Sequence, residues 1–368
     1  MIDSDGTPCV LQDVRPKYRI LQDQILKGIA DGSLATEGKL PSEQEMARLF
    51  GVAYMTVHTA VDGLVADGRL LKIHGKGTFA RQSTADGSAS RRLLGLVIPS
   101  LSVLWNVAGL YYFPGILQGF CAEATRLGYE PTVIGRSRES LAFMSGDLAR
   151  LAGAACLLIA REDGDSIEAL RHSSIPVIGI NHYHGRHRMS SIAIDQAGGM
   201  ARVVRRLAEM GHRRIVFLPG PRGNLGAEER QRGFEQAVAA LGLTEAFVLE
   251  DGPADYTDLS GIIRTRLLLA RSTRPTAIAT AGDLIAAGAL LAAREAGRPV
   301  PTGLTVVGYG DFEIAKHLRP ELTTVRLPLR DLGAKAARML AEKAEGRARA
   351  QALSLDTELI ERGSASAI

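Results

Sequence analysis

From residue 93 to the end of the chain, short apolar runs alternate with stretches of helical periodicity, and this alternation constrains the fold most strongly. The apolar runs have the length of strands and lie at residues 93–99, 131–135, 154–160, 176–181, 191–195, 214–219, 277–281 and 304–309. The helical stretches span residues 114–128, 196–211, 228–242 and 283–297. Such β-α-β order indicates parallel, doubly wound sheets with helices on both faces. Because the span is long for one sheet, we predict an α/β fold of two lobes with a ligand-binding cleft between them.

A short polar segment separates this region from a smaller one ahead of it. Residues 81–92 read RQSTADGSASRR and contain no apolar side chain larger than alanine. This composition is typical of a linker. The predicted organisation is therefore a small domain at residues 15–81, a linker at 82–92 and a large domain at 93–364.

The small region contains three helical patterns followed by two short strands. Apolar residues recur at helical spacing in residues 18–31, after Ser42 and in residues 54–67. Ser42 and Glu45 have the spacing of a capping box. The strands flank a glycine-rich turn, HGKG at 74–77, which predicts a two-stranded wing. By pattern alone the region is either a winged helix-turn-helix or simply a small helical domain.

A helix-turn-helix with a wing suits double-stranded DNA, because the second helix of the pair fits the major groove and the first crosses the backbone. The third helix would be the DNA reader. The amides at the helix start beside Ser42 can hold a phosphate, and the wing tip can reach a groove. The predicted DNA-binding residues are Lys17, Ser42, Glu43, Gln44, Tyr54, Met55, Thr56, His58, Thr59, Gly75 and Lys76.

Four motifs in order, LPSE at 40–43, GV at 51–52, MTV at 55–57 and GKGTF at 75–79, resemble the GntR-type winged helix. The resemblance implies a DNA-binding head. The chain departs from the family where it has Ala53-Tyr54 in place of Ser-Arg, and His58 in place of Arg. Ala53 removes an N-cap worth on the order of 1 kcal/mol, and each missing arginine removes guanine discrimination worth about 1–3 kcal/mol. We therefore expect an operator that differs from the family's common sequence; an alternative is a weaker binding that requires slightly acidic pH, if His58 must be charged.

The large region resembles the LacI/GalR-type sensor, which is itself similar to periplasmic sugar-binding proteins. The resemblance covers nearly all of residues 93–364. Its motifs are GLVIP at 95–99, GHRRI at 211–215, ERQRGF at 229–234, GD at 282–283, VGY at 307–309, LTTV at 322–325 and ELI at 358–360. The run YFPGILQG at 112–119 resembles the arabinose-repressor branch, which joins a GntR-type head to this sensor. The combination implies a repressor of carbohydrate-metabolism genes whose operator affinity is controlled by a sugar or sugar acid.

The resemblance also implies a set of effector-binding residues. Arg230 matches the family's effector-binding arginine, with a surface arginine as the alternative. Tyr112 and Phe113 match cleft-lining positions, although core packing explains Phe113 nearly as well. Asp283 is expected to cap its helix more than to touch ligand. The full predicted set is Tyr112, Phe113, Asn181, His182, Arg230, Asp283 and Asp311.

One departure bears on the effector itself. The family usually has Gly-Tyr-Asp where this chain has Gly308-Tyr309-Gly310-Asp311, so the effector-binding carboxylate is lost from 310. We expect Asp311 to be its displaced replacement. If Asp311 does not reach the cleft, the site is less negative, and a sugar acid or another anion becomes a reasonable effector. Asp195, which closes the strand at 191–195, is a candidate for a crossover between the lobes.

Composition limits the remaining functions. The net charge of +4 permits nucleic-acid binding without arguing for it, and Cys9, Cys121 and Cys156 lie too far apart for a zinc motif, which indicates free thiols. No apolar run reaches the about 20 residues of a membrane span, and the N-terminus is unlike a signal peptide. We therefore predict a cytoplasmic protein with no membrane partner.

The partners expected are operator DNA, a small effector and a second copy in a homodimer, because a twofold dimer fits a near-palindromic operator. No nucleophile elbow, H-E-x-x-H or P-loop is present, so we predict no enzyme, no cofactor and no metal. One alternative is an aminotransferase-like enzyme behind the same head, for which the large region is short. The other is a pure binding protein, against which the DNA-binding head argues.

Overall fold

The computed structural model describes residues 16–30, 33–34, 39–66, 70–73, 77–80, 93–99, 107–135, 151–160, 163, 175–181, 189–271, 274–347 and 351–368. The chain divides into two compact units, residues 1–89 and 90–368. The predicted linker and the predicted site residues Gly75, Lys76 and His182 lie outside the described residues. No helix in the described part of the chain has the length and apolar content to cross a bilayer.

The first unit has three helices and an antiparallel hairpin, as the sequence predicts. Its elements are α1 (Lys17–Ala30), α2 (Glu43–Phe50), α3 (Tyr54–Ala66), β1 (Leu70–Ile73) and β2 (Gly77–Ala80). The hairpin register pairs Leu70 with Ala80 and Ile73 with Gly77. The winged helix-turn-helix predicted for this region is therefore confirmed.

Local sequence explains the tight turn between α2 and α3. Ser42 and Glu45 form the capping box: the Ser42 amide donates to Glu45 Oε2 at 2.8 Å, and the Glu45 amide donates to Ser42 Oγ at 3.3 Å. Gly51 ends α2 in the left-handed conformation, with φ of 63°, where a glycine carries no Cβ penalty. The helices then bury their apolar faces in one core that includes Ile25, Met46, Val57, Val61 and Leu64.

The second unit contains two six-stranded sheets with helices packed on them. Its first sheet has the strand order β13-β7-β6-β5-β3-β4 and its second has β14-β12-β11-β10-β8-β9; β14 runs antiparallel to β12 and the other pairs are parallel. The strands are β3 (Leu93–Ile98), β4 (Glu130–Gly135), β5 (Leu151–Leu157), β6 (Val177–Ile180), β7 (Ser191–Ile194), β8 (Ile215–Leu218), β9 (Phe247–Val248), β10 (Ala277–Thr280), β11 (Thr305–Gly310), β12 (Thr323–Arg326), β13 (Ala352–Leu355) and β14 (Glu358–Ile360). The helices are α4 (Val107–Arg126), α5 (Gln196–Glu209), α6 (Leu225–Ala240), α7 (Asp258–Leu269), α8 (Asp283–Glu295), α9 (Ile314–His317) and α10 (Leu329–Ala344).

The chain passes between the two lobes of this unit three times. Asp195 joins β7 of the first sheet to α5, residues 327–328 join β12 of the second sheet to α10, and residues 356–357 join β13 to β14. Asp195 also caps α5, because its Oδ1 accepts the Gly198 amide at 2.8 Å. The predicted two-lobed architecture is confirmed, and Asp195 lies at a crossover as expected.

The structure differs from the sequence-based elements in two helices of the first lobe. Helix α4 begins at Val107 and continues through Pro114, where the sequence predicts its start, because Pro is commonest in a first turn. Helix α10 was not predicted, although Leu329, Leu332, Met339 and Leu340 recur on its buried face. Small residues on the same face allow close packing against α4. A Cβ on Gly333 would lie 2.0 Å from the Ile116 carbonyl oxygen, so α4 approaches α10 too closely for larger side chains.

Candidate functional site

A cavity of about 220 Å³ lies where the two lobes of the second unit face each other. It is at the carboxyl ends of the strands, where the β-α-β pattern predicts a ligand cleft. Leu158 and Asn181 reach it from the first sheet, directly after β5 and β6, and Ala281 reaches it after β10 of the second sheet. Its remaining lining is rich in aromatic rings and includes Tyr112, Phe113, Gln196, Asn224, Arg230, Tyr256, Asp283, Tyr309 and Phe312.

Arg230 on α6 is buried at the wall of this cavity. Its Nε donates to Gln196 Oε1 at 2.9 Å, and its Nη1 donates to the Ala281 carbonyl at 2.6 Å and to the Tyr256 hydroxyl at 3.2 Å. The guanidinium carbon lies 4.4 Å from the centroid of the Tyr309 ring, within the range of a cation–π interaction. These contacts fix the orientation of the guanidinium before any ligand arrives.

Tyr112, Phe113 and Asn181 meet on the first-lobe side of the cavity. The Asn181 side-chain amide donates to the Tyr112 hydroxyl at 2.8 Å, and the rings of Tyr112 and Phe113 pack edge to face with centroids 5.7 Å apart. Phe113 is also part of the hydrophobic core, so both interpretations of this residue hold. Burial raises the pKa of Tyr112, which keeps its hydroxyl protonated at neutral pH.

Asp283 lines the second-lobe side of the cavity and is fully buried. Its carboxylate accepts hydrogen bonds from Thr324 Oγ1 at 2.5 Å and from the Phe312 amide at 2.8 Å. The expected capping role is wrong, because Gly282 is the N-cap of α8 and Asp283 bonds residues outside that helix. Burial raises the pKa of Asp283 to about 6, so this carboxyl titrates just below neutral pH.

The structure does not bring Asp311 to the described lining of the cavity, contrary to the expectation from the sequence. Its carboxylate accepts from Arg326 Nε at 2.7 Å and from Arg362 Nη2 at 2.6 Å. Gly310, at a φ of 142°, and Asp311, at a φ of 51°, turn the backbone after β11 in this direction. Phe312 enters the lining instead, and Asp283 is left as the one carboxylate among the described lining residues.

Sequence reasoning missed several cavity residues. Gln196 follows the crossover residue Asp195 directly, and that position was a usable signal. Tyr309 lies in a motif that was used only to establish the resemblance. Tyr256 comes from the loop between β9 and α7, where no periodicity marks it, and its hydroxyl donates to Asn224 Oδ1 at 3.2 Å. Burial raises the pKa of Tyr256 as it does that of Tyr112.

In the first unit, the predicted reader helix α3 exposes the side chains at its start. Tyr54 and Met55 are 46% and 64% exposed, Thr59 is exposed and Thr56 is half-buried, whereas Val57 on the opposite face is fully buried. Ser42 and Gln44 are exposed at the start of α2, and Lys17 is the first residue of α1. The described members of the predicted set therefore lie around α2 and α3, apart from Lys17.

Two residues of the predicted DNA-binding set, Glu43 and His58, bond each other. His58 Nδ1 lies 2.9 Å from Glu43 Oε2, and His58 Nε2 lies 3.2 Å from Asp62 Oδ2. Lys72 Nζ lies 2.7 Å from Glu43 Oε1 and 3.0 Å from Asp62 Oδ1. Burial opposes the charge of Glu43, but hydrogen bonds from Lys72, His58 and Tyr54 outweigh it and hold the pKa of the Glu43 carboxyl below its usual value. We call Glu43, His58, Asp62 and Lys72 the His58 network.

A winged helix-turn-helix and a two-lobed unit with an interlobe cavity define a ligand-responsive transcription regulator. Residues 17–80 match the profile of the bacterial regulatory proteins of the gntR family, and residues 204–365 match that of the periplasmic binding protein-like domain. The HTH-type transcriptional regulator CelR of Thermobifida fusca is 31% identical over 243 residues, which cover 64% of this chain and 70% of CelR. The arabinose metabolism transcriptional repressor of Geobacillus stearothermophilus is 28% identical over 345 residues, 90% of this chain and 92% of the repressor.

Solved structures agree with these relatives. The complex of the transcriptional regulator CelR with cellobiose has a TM-score of 0.64 at 27% identity, covering 88% of this chain and 99% of CelR. The lac repressor dimer bound to operator and an anti-inducer has a TM-score of 0.65 at 26% identity, covering 76% of this chain and 96% of the lac repressor chain. The chain belongs to the family of bacterial transcriptional regulators with a periplasmic binding protein-like domain, and its head is of the gntR family. It is a regulator and not an enzyme.

Proposed function

We propose that this regulator is a cytoplasmic repressor of carbohydrate-metabolism genes that releases its operator when a small sugar or sugar acid occupies the interlobe cavity. The observation that carries the proposal is Arg230, a guanidinium already oriented by Gln196 and Tyr256 in a cavity lined by aromatic rings. Planar rings stack on the apolar faces of sugars, and oriented polar groups take hydroxyl or carboxylate oxygens.

The polar groups of the cavity narrow the effector class. Arg230 supplies donors, Asn181 and Tyr112 supply donors and acceptors, and the Asp283 carboxylate is already engaged by Thr324 and by a backbone amide. Asp311 is held by two arginines away from this lining. This arrangement supports a sugar acid or another small anion as the first candidate, with a neutral sugar as the alternative that the relative CelR suggests by its complex with cellobiose.

The head would bind operator DNA through the exposed starts of α2 and α3. Ser42 and Gln44 would contact the phosphate backbone, and Tyr54, Met55, Thr56 and Thr59 would face the major groove. The proposed set also keeps Lys17, Gly75 and Lys76, as contacts to the sugar-phosphate backbone of the DNA. The lac repressor structure, a dimer on its operator, supports a homodimer on a near-palindromic site for this chain.

The three crossovers support a mechanism in which the effector biases the angle between the lobes. A ligand that contacts Arg230 and Asp283 on one side and Tyr112 and Asn181 on the other is bound best when the lobes are closed. Gln196, the first residue of α5 after a crossover, bonds Arg230 directly. Closure would then shift the lobe faces of the dimer and so the spacing of the two heads.

A thermal-shift screen of the full chain against neutral sugars, sugar acids, sugar phosphates and purines tests the proposal, because a ligand that binds only the folded state raises the unfolding midpoint. We expect one class, sugar acids first, to raise the midpoint of the wild type and not that of Arg230→Met. Arg222→Met, which removes an exposed arginine next to the lining residue Pro221, is the matched control and should respond like the wild type. Calorimetry showing tight binding of neutral pentoses but not of aldonates would reject the sugar-acid preference. No response to any sugar-like compound would reject the sensor function.

A further inference from the structure

The His58 network is a closed cluster of ionisable side chains on the face of the head that we propose for DNA binding. Its members come from three elements: Glu43 starts α2, His58 and Asp62 lie one turn apart on α3, and Lys72 is on β1. The side chains are partly exposed, His58 by 37% and Asp62 by 52%. His58 therefore lies where a side chain that contacts DNA bases is expected, but its imidazole is bound by carboxylates of the same chain.

The positions of the two carboxylates determine which protonation state of the His58 imidazole they favour. A neutral imidazole has one N–H donor and one acceptor nitrogen, whereas an ionised carboxylate only accepts. Both nitrogens of His58 face carboxylate oxygens, at 2.9 Å in Glu43 and at 3.2 Å in Asp62. The Nδ1 contact has the geometry of a hydrogen bond, and the Nε2 contact lies within ion-pair distance. Only a doubly protonated imidazolium carries a proton on both nitrogens and is attracted to both carboxylates.

The charges around the imidazole determine what a proton changes. Among the described residues, the groups that face it are Glu43 from α2, Lys72 from β1, and Tyr54 and Asp62 from α3 itself, with the Tyr54 ring stacked at 5.9 Å. With an imidazolium, two positive and two negative charges cancel. With a neutral imidazole, one negative charge remains beside the exposed start of α3, where it would repel phosphates and leave one carboxylate contact unmade.

We propose that His58 is a positioning residue whose imidazolium form neutralises the carboxylates of Glu43 and Asp62 and so is required for full DNA affinity, while other residues of α3 contact the bases. The inference rests on the proposed DNA-binding function of the head. DNA affinity then falls as the pH rises from about 6 to about 8. One charge near the phosphates corresponds to an affinity change on the order of fivefold at moderate salt.

The test uses the full chain and DNA enriched by it from a random-sequence pool, with separate selections at about pH 6 and about pH 8. Fluorescence anisotropy at constant ionic strength gives the affinity across this range for the wild type, His58→Lys and His58→Gln. We expect the wild-type affinity to fall on the order of fivefold from about pH 6 to about pH 8. The slope of log affinity against log salt should become shallower by the contribution of about one phosphate contact. His58→Lys should bind tightly with a flat pH profile, and His58→Gln should be flat at the weaker level.

The controls separate this role from a loss of folding and from general titration. His317→Gln removes another exposed histidine paired with a carboxylate, Glu313, in the second unit, and should keep the wild-type profile. Circular dichroism melting identifies any variant that fails to fold, and rescue by lysine alone is a result that a purely structural role of the ring does not produce. A pH-independent wild type, or a His58→Gln variant with the wild-type profile, would overturn the proposal. Failure to enrich DNA at either pH would overturn the DNA-binding function, and this role with it.

Discussion

The interlobe cavity and the His58 network hold their charged groups in opposite ways. In the cavity, Arg230 and Asp283 are buried and bond amide, phenol, hydroxyl and backbone groups. In the network, the partly exposed side chains of His58 and Lys72 both contact the carboxylate of Glu43. Buried charges in fixed positions are little affected by salt, whereas exposed pairs are screened by it. The sensor is therefore organised before it meets its ligand, and the head is adjustable by its surroundings.

The largest effect should come from a second buried cation, Arg264 on α7. It is fully buried, and it donates to the carbonyls of Pro219 at 2.5 Å, Leu249 at 3.0 Å and Asp251 at 3.3 Å. Arg264→Met leaves these carbonyls without their donor, and we expect a loss of about 3–5 kcal/mol in the free energy of unfolding.

The matched control for this prediction is Arg266→Met on the same helix, which removes an exposed ion pair with Glu295. It should cost at most about 1 kcal/mol. Urea unfolding followed by circular dichroism measures both variants. Equal losses would contradict the distinction between buried and exposed cations.

Asp283→Asn should change how the stability of the sensor depends on pH. The folded pKa of about 6 lies above the ordinary aspartate value of 3.8, so the folded state holds its proton to a higher pH than the unfolded state does. Stability is therefore lost as the pH rises from about 4 to about 6, by about 3 kcal/mol in total. Asparagine cannot ionise, and Thr324 Oγ1 can accept from its amide as readily as it donates.

Urea unfolding at a series of pH values measures this difference. We expect the Asp283→Asn profile to lack the fall between about pH 4 and about pH 6 that the wild type shows. The control is Asp258→Asn, an exposed aspartate in the first turn of α7, which should keep the wild-type slope. An unchanged slope in Asp283→Asn would mean that another group carries the pH dependence.

A smaller effect is expected from the contact between the cavity wall and the crossover. Tyr309 lies under the Arg230 guanidinium, and its hydroxyl donates to the Gln196 carbonyl at 3.0 Å. Tyr309→Phe keeps the ring and removes this buried hydrogen bond, at a cost of about 1 kcal/mol in stability. Tyr111→Phe, which keeps its ring stack on Phe312, should cost less. Thermal unfolding compares the two, and a neutral Tyr309→Phe would argue against a fixed link between Arg230 and the crossover.

The smallest predicted effect is a gain in the head. Helix α3 begins after Ala53, which has no side-chain oxygen to cap it, in contrast to α2 with its Ser42 capping box. Ala53→Ser should therefore stabilise the head by about 0.5–1 kcal/mol. Ala53→Val, which adds a side chain without a cap, is the control. Hydrogen exchange of the α3 amides measures both, and an equal gain in the two variants would exclude capping as its cause.

The elements that the sequence predicts well are those whose signal is local. The capping box at Ser42, the hairpin at 70–80 and the strand lengths of the large unit depend on neighbouring residues, and the structure contains them. Helix α7 has no clean apolar face in its sequence, since Ser260 and Gly261 interrupt the pattern, and it was not predicted. Its packing against α8 selects those small residues, because a Cβ on Gly261 would lie 2.1 Å from the Ile285 carbonyl oxygen.

The cavity shows the same limit. Arg230, Tyr112, Phe113, Asn181 and Asp283 were found by motif position, and the structure brings them to one cavity. Asp311 was misplaced because its direction depends on two backbone angles and on arginines at positions 326 and 362, which no spacing rule connects to it. The network partners of His58 come from α2 and β1, so pairing of this ring became visible only once the elements were packed.

The central claim is that the cavity and the head are energetically coupled, and the most direct measurement is the affinity of the full chain for its selected DNA with and without the compound that raises its unfolding midpoint. By linkage, the factor by which the compound weakens DNA binding must equal the factor by which DNA weakens binding of the compound. We expect matching factors of about 5 to 150 in the wild type, the usual range of such coupling, and a factor of one in Arg230→Met. A wild type that binds both ligands tightly with a factor of one in each direction would contradict the account.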